Sequence, residues 1–169
     1  MHVLNITQVE SSDQIVAVQE LFREYIAWTN TFVESSLAPT FEGFEEELAA
    51  LPGIFSPPAG RLLLAVHDGR AAGCIALKPH AGTTGELKRL YVRPAFRGLS
   101  IGRQLVDTLV REARQSGYQR LVLDTHISMK AAHALYAAAG FHTVPTPANF
   151  PAALKPLVVF MECDLAADR

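Results

Sequence analysis

The stretch Leu62-Leu63-Leu64-Ala65-Val66, then Asp68-Gly69, then Ala72-Gly73-Cys74-Ile75-Ala76-Leu77 constrains the fold more than any other segment of the chain. Two apolar runs flank an Asp-Gly pair, and Asp-Gly readily supplies the positive φ that tight hairpin turns require, so the segment predicts an antiparallel hairpin. Before it, residues 3–9 read as a strand. Ser11-x-x-Gln14 matches a capping box, and Ile15, Val18, Phe22, Tyr25 and Ile26 follow at helical spacing, which predicts a helix over about 12–33. A second apolar stripe, Phe44, Leu48 and Leu51, runs beside Glu42, Glu45, Glu46 and Glu47 and ends at Pro52-Gly53.

After the hairpin, residues 85–92 read as a strand whose simple alternation puts Leu87, Arg89 and Tyr91 on one face and Glu86, Lys88, Leu90 and Val92 on the other. Pro94 stops it. Leu105, Val106, Leu109, Val110 and Ala113 then form one face of an amphipathic helix that ends near Gly117. Leu121-Val122-Leu123 is a short strand. Ser128 reads as the N-cap of a helix carrying Met129, Ala132, Tyr136 and Ala139 on one side and stopped by Gly140, and residues 157–164 form a last strand. The order β-α-α-β-β-β-α-β-α-β-β is that of a mixed α/β domain.

The 169 residues predict one domain, and 49% hydrophobic with 19% charged residues predicts a folded one. A sequence pI near 6.3 leaves no general footprint for nucleic acid. Two cysteines, Cys74 and Cys163, make neither a disulfide framework nor a four-cysteine zinc site. The start of the chain carries no signal pattern, and no apolar run approaches the ~18 residues that span a bilayer, so a cytoplasmic protein without membrane contact is expected. The formal charge of −2 conceals a split: residues 1–84 carry −6 and residues 85–169 carry +4. Residues 1–50 hold nine acidic groups against the single basic Arg23, which is either an ordinary solvated face or a surface that draws cations.

The segment Leu90-Tyr91-Val92-Arg93-Pro94-Ala95-Phe96-Arg97-Gly98-Leu99-Ser100-Ile101-Gly102-Arg103 carries the chemistry. A strand feeds a helix through a short loop of small residues, an arrangement that aims backbone N–H groups and a helix N-terminus at an anion. Arg93, Arg97 and Arg103 add positive charge to it. Neither G-x-x-x-x-G-K-[ST] nor G-x-G-x-x-G is present, which removes the P-loop and dinucleotide readings. By itself the loop also fits a surface turn with solvated arginines. His80, His126, His133 and His142 show no recognised metal-ligand spacing, and no metal is expected.

Taken in order, Glu86-Leu87-Lys88-Arg89-Leu90-Tyr91-Val92, the Arg97-Gly98-Leu99-Ser100-Ile101-Gly102 loop, the amphipathic helix, Leu121-Val122-Leu123-Asp124 and Leu135-Tyr136-Ala137-Ala138-Ala139-Gly140-Phe141 resemble the GNAT superfamily of N-acetyltransferases, its small bacterial single-domain members above all. The resemblance runs from about residue 61 to 164. It implies a mixed, mostly antiparallel sheet of six to seven strands with about four helices. It also implies one domain over 1–169, in which 1–60 covers the acceptor cleft and 61–164 binds acetyl-CoA.

The implied activity is direct acetyl transfer, in a ternary complex, from acetyl-CoA to a primary amine of a small molecule or peptide. The amides of Gly98, Leu99, Ser100, Ile101, Gly102 and Arg103, with Arg97, would hold the pyrophosphate. The strand through Leu90, Tyr91 and Val92 would pair with the pantetheine arm, a backbone N–H near Leu90 or Val92 polarising the thioester carbonyl. Tyr136 takes the place of the acid, and Glu86 that of the base, with His126 and His133 as alternative bases. Asn149 and Phe150, in the loop Pro145-Thr146-Pro147-Ala148-Asn149-Phe150-Pro151, are candidate acceptor contacts. Homodimers are common in the family. Ser100 departs from the family pattern, which has glycine there. A CoA-binding sensor or interaction module without catalysis is the competing reading.

Overall fold

The computed structural model describes residues 1–31 and 43–166. Seven strands form one sheet in the order β1-β2-β3-β4-β5-β7-β6, where β1 is Leu4–Gln8, β2 Arg61–His67, β3 Arg70–Ala81, β4 Thr84–Val92, β5 Arg120–His126, β6 His142–Val144 and β7 Val158–Asp164. Every neighbouring pair is antiparallel except β4 with β5. Four helices, α1 (Ser12–Thr29), α2 (Phe44–Ala49), α3 (Ile101–Gln115) and α4 (Lys130–Ala138), flank it.

The hairpin expected from Asp68-Gly69 joins β2 to β3, with Asp68 at φ 49 and Gly69 at φ 78. Its strands are buried on both faces, which is why their apolar runs are continuous rather than alternating. Leu63, Ala65, Ile75 and Leu77 pack beneath Leu105, Val106, Leu109 and Ala113 of α3, while Leu62, Leu64, Cys74 and Ala76 pack beneath Val18, Leu21 and Phe22 of α1 and Leu48 of α2. The sheet therefore separates two apolar cores.

The capping box at the start of α1 forms in both directions: the Gln14 amide donates to Ser11 Oγ at 3.2 Å, and the Ser11 amide donates to Gln14 Oε1 at 3.0 Å. The helix ends at Thr29, earlier than the expected residue 33, with Asn30 as its cap and Thr31 in a turn; residues 32–33 of that expectation and Glu42 lie outside the described residues. Ser128 does not cap α4. Met129 holds that position, and Ser128 Oγ instead lies 2.6 Å from His126 Nδ1.

The alternation expected for β4 fails at one place. Lys88 faces Ala76 and Tyr91 faces Cys74, so Arg89 and Leu90 together oppose Ile75. Arg89 adopts φ 59, in the left-handed region. This β-bulge inserts one residue and reverses the faces beyond it. Leu90 and Val92 join Leu87 on the α3 side, while Tyr91 enters the core under α1. The bulge also brings β4 so close to β3 that a Cβ on Gly73 would stand 2.5 Å from the Tyr91 carbonyl oxygen. Gly73→Ala should cost about 1–3 kcal/mol, as overpacking does; urea unfolding measures it, and a loss below about 0.5 kcal/mol would mean that the two strands can separate at the bulge.

Candidate active site

Strands β4 and β5 pair only through Thr84–Glu86 and Arg120–Val122 and then diverge. Beyond that point β5 keeps its pairing with β7 as far as His126, while β4 follows its bulge toward β3. The divergence opens a cleft of about 480 Å³. Its walls are β4 from Leu87 to Val92, the loop and first turn of α3 from Arg97 to Arg103, Asp124 and Thr125 of β5, Met129 and Leu135–Tyr136 around α4, and Tyr25 and Trp28 of α1.

The loop end of the cleft is built from backbone. Gly98 has φ 83 and Ser100 φ 61, and Ser100 is the N-cap of α3. These two left-handed residues turn the chain into the helix, whose first-turn amides have no intrahelical acceptors. The Ser100 side chain makes no capping bond. Gly102 lies under α4, where a Cβ would stand 3.0 Å from Leu135 Cδ1.

The arginines expected to assist are already engaged. Arg93 donates to both Glu24 oxygens at 2.8–3.1 Å and to the Ala71 carbonyl at 2.9 Å. Arg97 donates to the Val92 carbonyl and lies 5.0 Å from the Trp28 ring centre. Arg103 pairs with Asp107 one turn along α3. What this end offers to an anion is the amides and the helix dipole, with the arginines as a partly neutralised surround.

Tyr136 combines both readings open to it, core aromatic and cleft residue: its ring packs 5.8 Å from that of Phe141, and it lines the cleft. Burial drives its phenol well above the ordinary tyrosine pKa, with Tyr25 and Asp124 adding to the shift, so it keeps its proton. Tyr25 faces the same space and is pushed up to about 12 by burial. Tyr25, Trp28 and Tyr91 form an aromatic corner with ring centres 6.0–6.4 Å apart.

Glu86 lines a separate cavity of about 300 Å³ that spans β5, together with His80, Val122, Asp124, Val144, Pro145, Pro147, Phe160 and Glu162. Three cationic or potentially cationic groups surround its carboxylate: His80 at 3.4 Å, Lys88 at 3.4 Å and Lys78 at 3.8 Å. His126 and His133 line neither cavity, and His133 Nε2 lies 3.0 Å from the His126 carbonyl. Pro145 and Pro147 border the smaller cavity, whereas Asn149 does not, and Phe150 meets it only by packing on Phe160 at 5.1 Å. Among the described residues, the one group of three that could share a metal ion is His2, His67 and Asp68, at the β2–β3 turn and outside both cavities.

Sequence reasoning missed Tyr25 and Trp28 as cleft residues, since on α1 they look like any apolar stripe. It also missed Asp124. The available signal was a lone charge at the C-terminal end of a parallel-paired strand, where α/β sheets place their ligands.

The acetyltransferase (GNAT) family model matches residues 19–141. An uncharacterized N-acetyltransferase of Schizosaccharomyces pombe is 33% identical over 165 residues, covering 96% of each chain. The crystal structure of an acyl-CoA N-acyltransferase from Klebsiella pneumoniae shares 30% identity and a TM-score of 0.72 over 96% of this chain and 98% of its own. A Thermoplasma acidophilum PaiA N-acetyltransferase, solved in complex with coenzyme A, superposes with a TM-score of 0.75 at 20% identity over 96% and 99% of the two chains. The chain belongs to the acetyltransferase (GNAT) family.

Ser100 carries the left-handed backbone that favours glycine, a conformation costing an L-residue roughly 1–2 kcal/mol. Ser100→Gly should therefore stabilise the fold by about 1 kcal/mol and raise the melting temperature by about 2–4 °C. Thermal unfolding checks this, and a lower melting temperature would show that the serine hydroxyl stabilises the loop.

Proposed function

We propose that this acetyltransferase moves the acetyl group of acetyl-CoA directly onto a primary amine, with both substrates bound at once. The observation that carries the reading is the open slot between β4 and β5, with helix N-terminal amides at one end and the proton-retaining phenol of Tyr136 in its wall. The amides from Gly98 to Arg103 suit a pyrophosphate. The exposed edge of β4 beyond the divergence suits a polar, extended arm, and the bulge at Arg89 and Leu90 turns main chain toward the place of the thioester. In this reading α1 and α2 close the acceptor side.

Amide formation from a thioester needs a neutral amine and a protonated leaving sulfur. An alkylammonium has a pKa near ~10.4 and a thiol near ~8.5, so a base must take the amine proton and an acid helps the thiolate leave. Tyr136 is the acid. The base belongs on the acceptor side of the sheet, where Glu86 and Asp124 stand. A covalent acetyl-cysteine route finds no support: Cys74 is fully buried with its thiol pushed up by burial, and Cys163 is buried as well.

Release of CoA thiol should depend on an added amine. A panel of amines, amino acids and peptides tests this once acetyl-CoA binding is established by thermal shift. Binding without any acceptor would favour the non-catalytic CoA module. Tyr136→Phe should lower turnover by about 100-fold or more while leaving acetyl-CoA affinity within about threefold; unchanged turnover would remove Tyr136 from the chemistry.

A further inference from the structure

We propose that the Asp124 carboxylate, rather than Glu86, receives the ammonium group of the acceptor, and that the acceptor is a primary amine with an apolar body lying in the cavity bordered by Pro145, Pro147 and Phe160. This rests on the acetyl-transfer reading and assigns its second substrate.

Asp124 is the residue common to the walls of the main cleft and the smaller cavity. Alternation along β5 sends Leu121 and Leu123 into the core under α3 and turns Asp124 the other way. Its side chain lines the cleft and keeps contact with solvent, although protein atoms crowd around the carboxylate. Among the described residues it forms no ion pair. Glu86 differs: Lys88 at 3.4 Å and Lys78 at 3.8 Å already compensate its charge, and His80 lies beside them at 3.4 Å.

A carboxylate at the meeting of two cavities, without an ion pair among the described residues and opposed only by the more distant charges of Lys88 and Arg89, is a place for a ligand cation. The charged and titratable groups facing it are Glu86, Lys88 and Arg89 from β4, Tyr25 from α1 and Tyr136 from α4, while His80 from β3 and Glu162 from β7, the latter 3.7 Å from His142, line the smaller cavity with it. Lys88 is paired with Glu86, and Arg89 donates to Glu47 at 2.9 Å. Protein packed around Asp124 raises its carboxyl pKa, Glu86 adding to the rise and Lys88 opposing it, which brings its proton affinity closer to what a base needs. No side chain of the smaller cavity offers an uncommitted cation to a carboxylate: His80 lies against Glu86. An amine fits better than an amino acid.

The step balances. The ammonium gives one proton to Asp124, and the freed nitrogen lone pair forms the C–N bond at the thioester carbonyl carbon. The C–S bond breaks with its electron pair on sulfur, which takes the Tyr136 proton. The phenolate recovers a proton from the new amide nitrogen, and Asp124 releases its own to solvent.

The test measures CoA release with 2-phenylethylamine and with phenylalanine for wild type, D124N, D124E and E86Q. The wild type is expected to prefer 2-phenylethylamine. D124N should lower kcat/KM for the amine by about 100-fold, at unchanged acetyl-CoA affinity and melting temperature. It should also displace the acid limb of the pH profile upward toward the ionisation of the amine itself, at ~10.4, whereas D124E and E86Q keep the limb close to its wild-type place. D124N activity within about threefold of wild type, or that upward displacement of the acid limb in E86Q instead, overturns the assignment of Asp124. Turnover of other panel amines but not of 2-phenylethylamine overturns the apolar body. A wild type that binds acetyl-CoA and acetylates no amine overturns the acetyl-transfer reading and this inference together.

Discussion

Two residues of β4, Arg89 and Leu90, stand opposite one residue of β3, and the cleft depends on that mismatch. Without the extra residue, β4 would keep its alternation, Leu90 would point into the core under α1, and Tyr91 would point under α3. With it, Leu90 and Val92 line the slot beside the loop, while Tyr91 joins Tyr25 and Trp28 on the opposite side. The divergence of β4 from β5 is the same event seen from the other edge. Gly73 makes it tolerable, because only a residue without Cβ lets β3 lie against the displaced Tyr91 carbonyl.

The opposed charges of the two halves of the chain meet in the fold. Arg93 of the segment after β4 holds Glu24 of α1, with Glu20 at 3.6 Å, and Arg89 of the bulge holds Glu47 of α2. Part of what reads along the chain as two opposed surfaces is a single internal contact, in which Glu20, Glu24 and Glu47 of the helices meet Arg89 and Arg93. These pairs are incompletely shielded from solvent, so they contribute more to orientation than to stability.

The architecture was legible because its signals are redundant. A hairpin turn with its own residue pair, a capping box and a five-residue apolar face on α3 each give the same answer as the elements around them. The loop was legible for the same reason. The bulge was not, since one inserted residue leaves the composition of β4 unchanged and arginine gives no hint of a left-handed backbone. With the bulge unseen, half of the strand was assigned to the wrong face. Asp124 was hidden differently: a single carboxylate draws notice only when two cavities meet at it, and the cluster of Lys78, His80 and Lys88 around Glu86 forms only once β3 lies beside β4.

The bidentate contact between Arg93 and Glu24 spans the junction between the helical cover and the strand that enters the loop. It acts as a keyed joint. A foreign α1 grafted onto this sheet to change the acceptor would need a carboxylate at the position of Glu24, or Arg93 would lose its partner at the root of the loop. Diversification of α1 is thereby coupled, through one arginine, to the integrity of the turn that leads into α3.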